Sequence, residues 1–159
     1  MSISIVGVGD LVVRHGKAET LRMLGVGSCV AVIAVDVNRH VGGMAHVVLP
    51  QSDPRDPVDR PPAYYADTAI PAFLKALRAA GSMALPGHLR IRLVGGASPA
   101  GTGLGIGRRN VAAVKRALFQ HGFAVVAEDT GGTSSRTVSL VLPFENVTIV
   151  SPDFGEKVL

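Results

Sequence analysis

The sequence predicts an α+β fold: a layered sandwich of mixed, mainly antiparallel β-sheets with two main helices, in a single domain spanning 1–159. Three observations predict it. Short runs rich in β-branched residues recur along most of the chain, often next to one another with only a polar turn between them. Only two segments carry the apolar repeat of an amphipathic helix. The 159 residues are 47% hydrophobic and 18% charged, the size and composition of one globular domain with a real core. About eight strands and two helices, with strands often following strands, make layers rather than alternating βα units.

In chain order, "SISIVGVGDLVV" (2–13) alternates and reads as a strand, and "TLRMLGV" (20–26) follows the polar turn "RHGKAE". "CVAVIAVD" (29–36) and "VGGMAHVVLP" (41–50) flank the turn "VNRH", so a hairpin joins them. Next, "QSDPRDPVDRPP" (51–62) has four prolines, three aspartates and no apolar anchor. It reads as an exposed flap, expected near the mouth of any site around Cys29. In "YYADTAIPAFLKALRAAG" (64–81), Ala66, Ala69, Ile70, Phe73, Leu74 and Leu77 fall on one helical face and Gly81 supplies a stop. Pro71 within this run calls for a kink or a helix start close by.

"LRIRLVG" (89–95) is a further strand, and the glycine-dense "GGASPAGTGLGIG" (95–107) leads straight into the second helix. That helix, "RRNVAAVKRALFQHG", sets Val111, Val114 and Leu118 on one face and ends at Gly122. "FAVVAED" (123–129), "RTVSLVL" (136–142) and "NVTIV" (146–150) complete the strands, the last two joined through "PFE". No internal repeat and no interdomain linker is visible.

Several function classes lack their signatures. No window approaches a membrane span, and the N-terminus has no basic n-region and carries Asp10 in its apolar stretch, so membrane insertion and a signal peptide are not expected. The net charge of +4 is scattered, with aromatics at 4% and no tryptophan, which argues against nucleic-acid binding. The glycine loop ends Gly107-Arg108-Arg109, not Gly-Lys-Ser/Thr, and Ile106 stands where a dinucleotide fingerprint needs glycine, so it reads as a structural turn or a loop facing the active site. His15, His40, His46, His88 and His121 have no metal-binding spacing, and "SDPRDPVD" lacks the glycine and terminal glutamate of a calcium loop. No metal or organic cofactor is expected. A lone cysteine rules out an internal disulfide and fits a reducing, cytoplasmic setting.

That cysteine is the focus. Cys29 beside "VAVIAV" can be a small buried hydrophobe, the usual fate of a free cysteine. Two features favour a nucleophile. Gly25 and Gly27 precede Ser28-Cys29, so the backbone can approach a ligand and leave amides free for an oxyanion. His46 follows 17 residues on, on the returning strand of the hairpin. If residue 29 faces 46 or 48, both side chains lie on one face of the sheet, within reach of a Cys–His dyad.

"LGVGSCVAV", followed by "VGGMAHVVLP", resembles the signature of the CheD family, the chemoreceptor glutamine deamidases of bacterial chemotaxis. "YYADTAIPAFL", "LVGGA", "IGRRNVAAVKRAL" and "VVAEDTGGTSSRTV" are similar to later family segments in the same order, from about residue 4 to 141. The resemblance implies a layered fold shared at its core with the deamidase domain of cytotoxic necrotizing factor toxins. It also implies Cys29 as nucleophile, His46 as its base, and deamidation of glutamine side chains on receptor cytoplasmic domains. In that mechanism His46 holds Cys29 as thiolate and backbone N–H groups near Ser28 steady the oxyanion. Hydrolysis of glutamyl methyl esters and regulation by a CheC-type phosphatase belong to the same expectation.

One position departs from the family pattern. A threonine six residues before the cysteine is expected to orient the histidine, and here that residue is Met23. Thr20 is three residues away and points to the opposite face of a regular strand. A thioether cannot donate a hydrogen bond, so a backbone carbonyl or water has to fix the imidazole. Two rival readings follow: a binding module with weakened or lost turnover, and a redox sensor at Cys29, the latter handicapped by having no second cysteine.

Overall fold

A computed structural model describes residues 2–99 and 105–159. The elements are β1 (Ser2–Ile5), β2 (Leu11–His15), β3 (Glu19–Val26), β4 (Val30–Asp36), β5 (Val41–Val47), α1 (Ala66–Ala79), β6 (Arg90–Gly95), α2 (Ile106–Gln120), β7 (Val125–Thr130), β8 (Arg136–Leu142), β9 (Asn146–Ser151) and β10 (Gly155–Val158). They form two five-stranded sheets, ordered β1-β3-β8-β9-β10 and β2-β5-β4-β6-β7. Every pairing is antiparallel except β1 with β3 and β6 with β7. The α+β class and the mixed, mainly antiparallel sheets are those the sequence predicts.

The layers run helices, second sheet, first sheet. Alternation along β4 shows how. Val30, Val32 and Ala34 pack under α1 and α2 with Ile70, Phe73, Leu74, Val114 and Leu118. Ala31, Ile33 and Val35 face the first sheet, against Leu21, Met23, Val138 and Leu140. Covered on both faces, β4 needs an unbroken apolar run rather than alternation, which is what "VAVIAV" supplies.

Three expectations are corrected. The stretch 2–13 is not one strand: β1 joins the first sheet and β2 the second. The break is a tight turn, in which Asp10 N–H donates to the Gly7 carbonyl at 3.0 Å and Gly9 adopts φ 77°. β10 escaped prediction because it is an exposed edge strand with no buried alternation to betray it. The flap at 51–62 is tied to the helical layer: Ser52 donates through N–H and Oγ to Asp67 of α1, and a groove between the flap and α1 is lined by Tyr65, Thr68 and Ala72. Its end approaches the neighbourhood of His46: a Cβ on Gly9 would stand 3.3 Å from Pro61, and Ala63 N–H, just past the flap, donates to the Gly9 carbonyl at 2.8 Å.

Both helices begin and end close to the predicted limits. Pro71 is accommodated inside α1, with Ala66, Ala69, Ile70, Phe73, Leu74 and Leu77 all buried as predicted. On α2, Val114 and Leu118 are buried and Val111 partly so, but the buried face also includes Asn110. Of the glycine loop, residues 100–104 lie outside the described residues. Its described start, Gly95 to Ala97, lies against the turn that carries Cys29.

Candidate active site

Cys29 ends the turn Gly27-Ser28-Cys29 and immediately precedes β4. The β4–β5 ladder pairs Val30 with Val47 and Ala31 with His46. One step further, residue 29 comes opposite 48, one of the two registers that put Cys29 and His46 on a common face. That face is the one turned towards the first sheet, shared with Ala31 and Met44. Cys29 and His46 are therefore diagonal neighbours across the hairpin.

His46 is 3% exposed, and its Nδ1 lies 3.4 Å from the Val6 carbonyl. A carbonyl can only accept, so this contact puts the ring proton on Nδ1 and leaves the Nε2 lone pair free. The backbone around it is held as well: His46 N–H donates to Asp10 O at 2.9 Å and its carbonyl accepts from Gly9 at 3.0 Å. The turn at 6–10, which broke the predicted first strand, thus builds one wall of the site. Val6 supplies the backbone-carbonyl contact that the absence of the threonine required.

The electrostatics bear on one expectation. Burial pushes the Cys29 thiol above its ordinary range, opposed by its own backbone N–H. Burial also pulls the His46 imidazole below its ordinary range, opposed by the Val6 carbonyl, Asp10 and the Gly7 backbone. Both shifts favour the neutral forms, and no hydrogen bond joins the thiol to the imidazole among the described residues. Both directions run against the standing thiolate expected from the sequence.

The turn preceding Cys29 is fixed by three successive carbonyls. Gly27 O accepts from Ala97 N–H at 2.9 Å, Ser28 O from Asn110 Nδ2 at 2.9 Å, and Cys29 O from Gly96 N–H at 2.8 Å. The N–H groups of Ser28 and Cys29 donate to no other described residue. Amides beside a thiol with no other acceptor among the described residues are the kind of donor an oxyanion needs.

Met23 is fully buried between the sheets, in the cluster against which Cys29 packs. Thr20 lies on the outer face of the first sheet, in a groove with Arg22 and Ser139. Sequence reasoning missed Val6, whose contribution is a carbonyl and leaves no trace in residue type. It also missed Asn110, although an asparagine on the apolar stripe of α2 was a visible signal. Among the described residues no group of three or more His, Cys, Asp or Glu could hold a metal ion, and no helix is long and apolar enough to cross a membrane.

Comparison with known proteins bears on this arrangement. A family model described as CheD chemotactic sensory transduction matches residues 48–151, beginning just past His46. Full-length relatives cover the rest. Probable chemoreceptor glutamine deamidase CheD 2 of Anaeromyxobacter dehalogenans is 42% identical over 157 residues, 96% of this chain and 97% of the relative. Chemoreceptor glutamine deamidase CheD of Thermotoga maritima is 40% identical over 154 residues, 96% of this chain and 94% of the relative. Probable chemoreceptor glutamine deamidase CheD of Methanococcus vannielii is 41% identical over 149 residues, 91% and 92% of the two chains. With its layered fold and likeness to these relatives along nearly its whole length, the chain belongs to the CheD family.

Proposed function

We propose that the chain, acting over 1–159 as one deamidase domain, hydrolyses glutamine side chains on the cytoplasmic part of chemoreceptors to glutamate, with Cys29 as nucleophile and His46 as base. The observation that carries this reading is the β4–β5 register, which sets the only cysteine and a buried histidine on one face of paired strands. The relatives' names supply the substrate class.

In the proposed cycle, His46 Nε2 takes the thiol proton as sulfur attacks the glutamine Cδ, so the ion pair exists only along the reaction path. The Ser28 and Cys29 N–H groups accept the charge that develops on the amide oxygen. The C–N bond breaks as His46 returns the proton to the leaving ammonia. Water then adds to the γ-glutamyl thioester, the C–S bond breaks, and glutamate and free thiol result. No step requires a metal or organic cofactor, and a substrate on the cytoplasmic part of receptors calls for action in the cytoplasm. A CheC-type phosphatase is the proposed regulatory partner.

The test is mass analysis of a receptor cytoplasmic fragment after incubation with the protein, in which each converted glutamine adds about 1 Da. Cys29→Ala and His46→Ala, folded as the wild type, should each abolish conversion. Wild-type rates in either variant would remove the dyad. Met23 in place of threonine favours a second reading, a binding module docking receptors or a CheC-type phosphatase without turnover. Receptor binding without mass gain in the wild type would select it.

A further inference from the structure

Asn110 is an anomaly in the core. It sits in the first turns of α2, fully buried on the face that otherwise presents Ala113, Val114, Ala117 and Leu118. Its Nδ2 donates two hydrogen bonds of 2.9 Å, one to Ser28 O and one to Val48 O. Both amide hydrogens are thus committed to the residue before Cys29 and to the residue that continues the ladder opposite it. Its Oδ1 is buried and has no partner among the described residues. An unpaired buried acceptor costs stability that an apolar side chain of similar size would avoid.

The peptide geometry shows what that arrangement does. In a planar trans peptide the carbonyl and the following N–H point in opposite directions. Drawing Ser28 O towards α2, on the helical side of the sheet, therefore turns Cys29 N–H to the other side, where the thiol and His46 lie. The neighbouring carbonyls of Gly27 and Cys29 are held by Ala97 and Gly96, so the Ser28–Cys29 peptide is the link in the turn held by a side chain rather than by backbone.

We infer that Asn110 is a positioning residue: its amide fixes the Ser28–Cys29 peptide so that the Cys29 N–H meets the oxyanion of the tetrahedral intermediate. The inference rests on Cys29 being the nucleophile. It assigns α2 a part in the chemistry although no residue of α2 touches the reacting atoms.

Two rates measured on the same variants separate positioning from mere support. Deamidation of a receptor fragment passes through an oxyanion, whereas alkylation of Cys29 by iodoacetamide displaces iodide at a methylene and forms none. Asn110→Ala should lower the deamidation kcat by about 10- to 100-fold, less than outright removal of an oxyanion donor, with KM within about twofold. Alkylation should stay within about threefold, since the thiol and its base are untouched. Asn110→Ser, which keeps one smaller donor, should recover part of the kcat. An unchanged kcat, an equal fall in both rates, or failure of both variants to fold would each overturn the inference and leave Asn110 a structural residue. Cys29→Ala run alongside keeps the two claims apart, because turnover without the thiol removes the dyad itself.

Discussion

The imidazole of His46, on the second sheet, reaches the carbonyl of Val6, which runs on from β1 of the first sheet, at an Nδ1–O distance of 3.4 Å. The same Val6 donates its N–H to Arg22 O of β3 at 2.8 Å, so the acceptor is itself pinned. The imidazole is thereby oriented by main chain across the interface between the sheets. A main-chain carbonyl cannot be removed by substitution, and the Val6 side chain, buried in the core between the sheets, helps to fix its place.

Because burial favours the neutral thiol and the neutral imidazole, the pH behaviour should differ from that of a preformed thiolate–imidazolium pair. Alkylation of Cys29 should climb through an apparent pKa above the ordinary thiol value of about 8.5, with no plateau near pH 5–6. A reactive acid plateau would show that the ion pair stands before substrate arrives. On the acid side, kcat/KM for deamidation should fall only below the ordinary histidine pKa of about 6.5.

The same shifts act on stability. His46 has a lowered folded pKa, so its contribution is present above the unfolded pKa and is lost as pH falls through the folded one. Cys29 has a raised folded pKa, so its contribution is present below the unfolded pKa and is lost as pH rises through the folded one. His46→Gln should flatten the acid limb of a denaturation-midpoint profile and Cys29→Ala the alkaline limb. An acid limb unchanged in His46→Gln would mean that other groups govern it.

Gly95 is where the β6 strand end presses on the turn that carries Cys29. It adopts φ 120°, and a Cβ there would stand 2.3 Å from Cys29 O and 2.7 Å from Val26 Cγ1. Gly95→Ala should cost about 2–5 kcal/mol, combining left-handed strain with overpacking, and lower deamidation more than tenfold in whatever folds. Gly25→Ala makes a fitting control, since its φ is 58° and nothing lies within 4 Å of the added carbon. Strain alone should cost it about 1–2 kcal/mol. Equal losses in the two variants would show that contact with Cys29 O does not matter.

The flap is tied to α1, on the side of the second sheet away from the imidazole face. Replacing residues 54–59 by a Gly/Ser linker should therefore leave alkylation of Cys29 within about twofold. A rise of tenfold or more would show that the flap screens the thiol and would restore the role expected of it from the sequence.

The legibility of this fold and site in the sequence follows from the kind of signal each part carries. β4 and both helices announce themselves because their residues are buried in a periodic or continuous pattern, and the β4–β5 hairpin carried the pairing of Cys29 with His46 within it. The turn at 6–10 was hidden because Val6 and Val8 prolong the β-branched composition of β1 across a change of sheet, and the shift of phase between Ile5 and Val6 was its one trace. The electrostatics of Cys29 and His46 were illegible for a different reason: desolvation depends on what covers the two side chains, and that cover joins the nearby β3 to β8, which is distant in sequence. Asn110 was legible as an oddity, a polar residue on an apolar stripe, but its partners Ser28 and Val48 are known only once the chain is folded.

Met23 gives the last prediction. From the sequence, Met23→Thr should restore an orienting hydroxyl and raise the rate by about 5- to 150-fold, the worth of one buried hydrogen bond. The structure lowers that expectation, because His46 Nδ1 already meets the Val6 carbonyl and a second partner adds little orientation. The side chain is also fully buried among Leu21, Val26 and Val138, so shortening it opens space between the sheets. Met23→Thr should lose about 1–3 kcal/mol of stability while the single-turnover rate rises no more than about fivefold. Met23→Val separates the two effects, since valine matches threonine in shape and lacks the hydroxyl. If Val6 orients the base, the Thr and Val variants should differ in rate by about fivefold at most. A hundredfold advantage for threonine would mean that the 3.4 Å contact does not hold the imidazole during turnover.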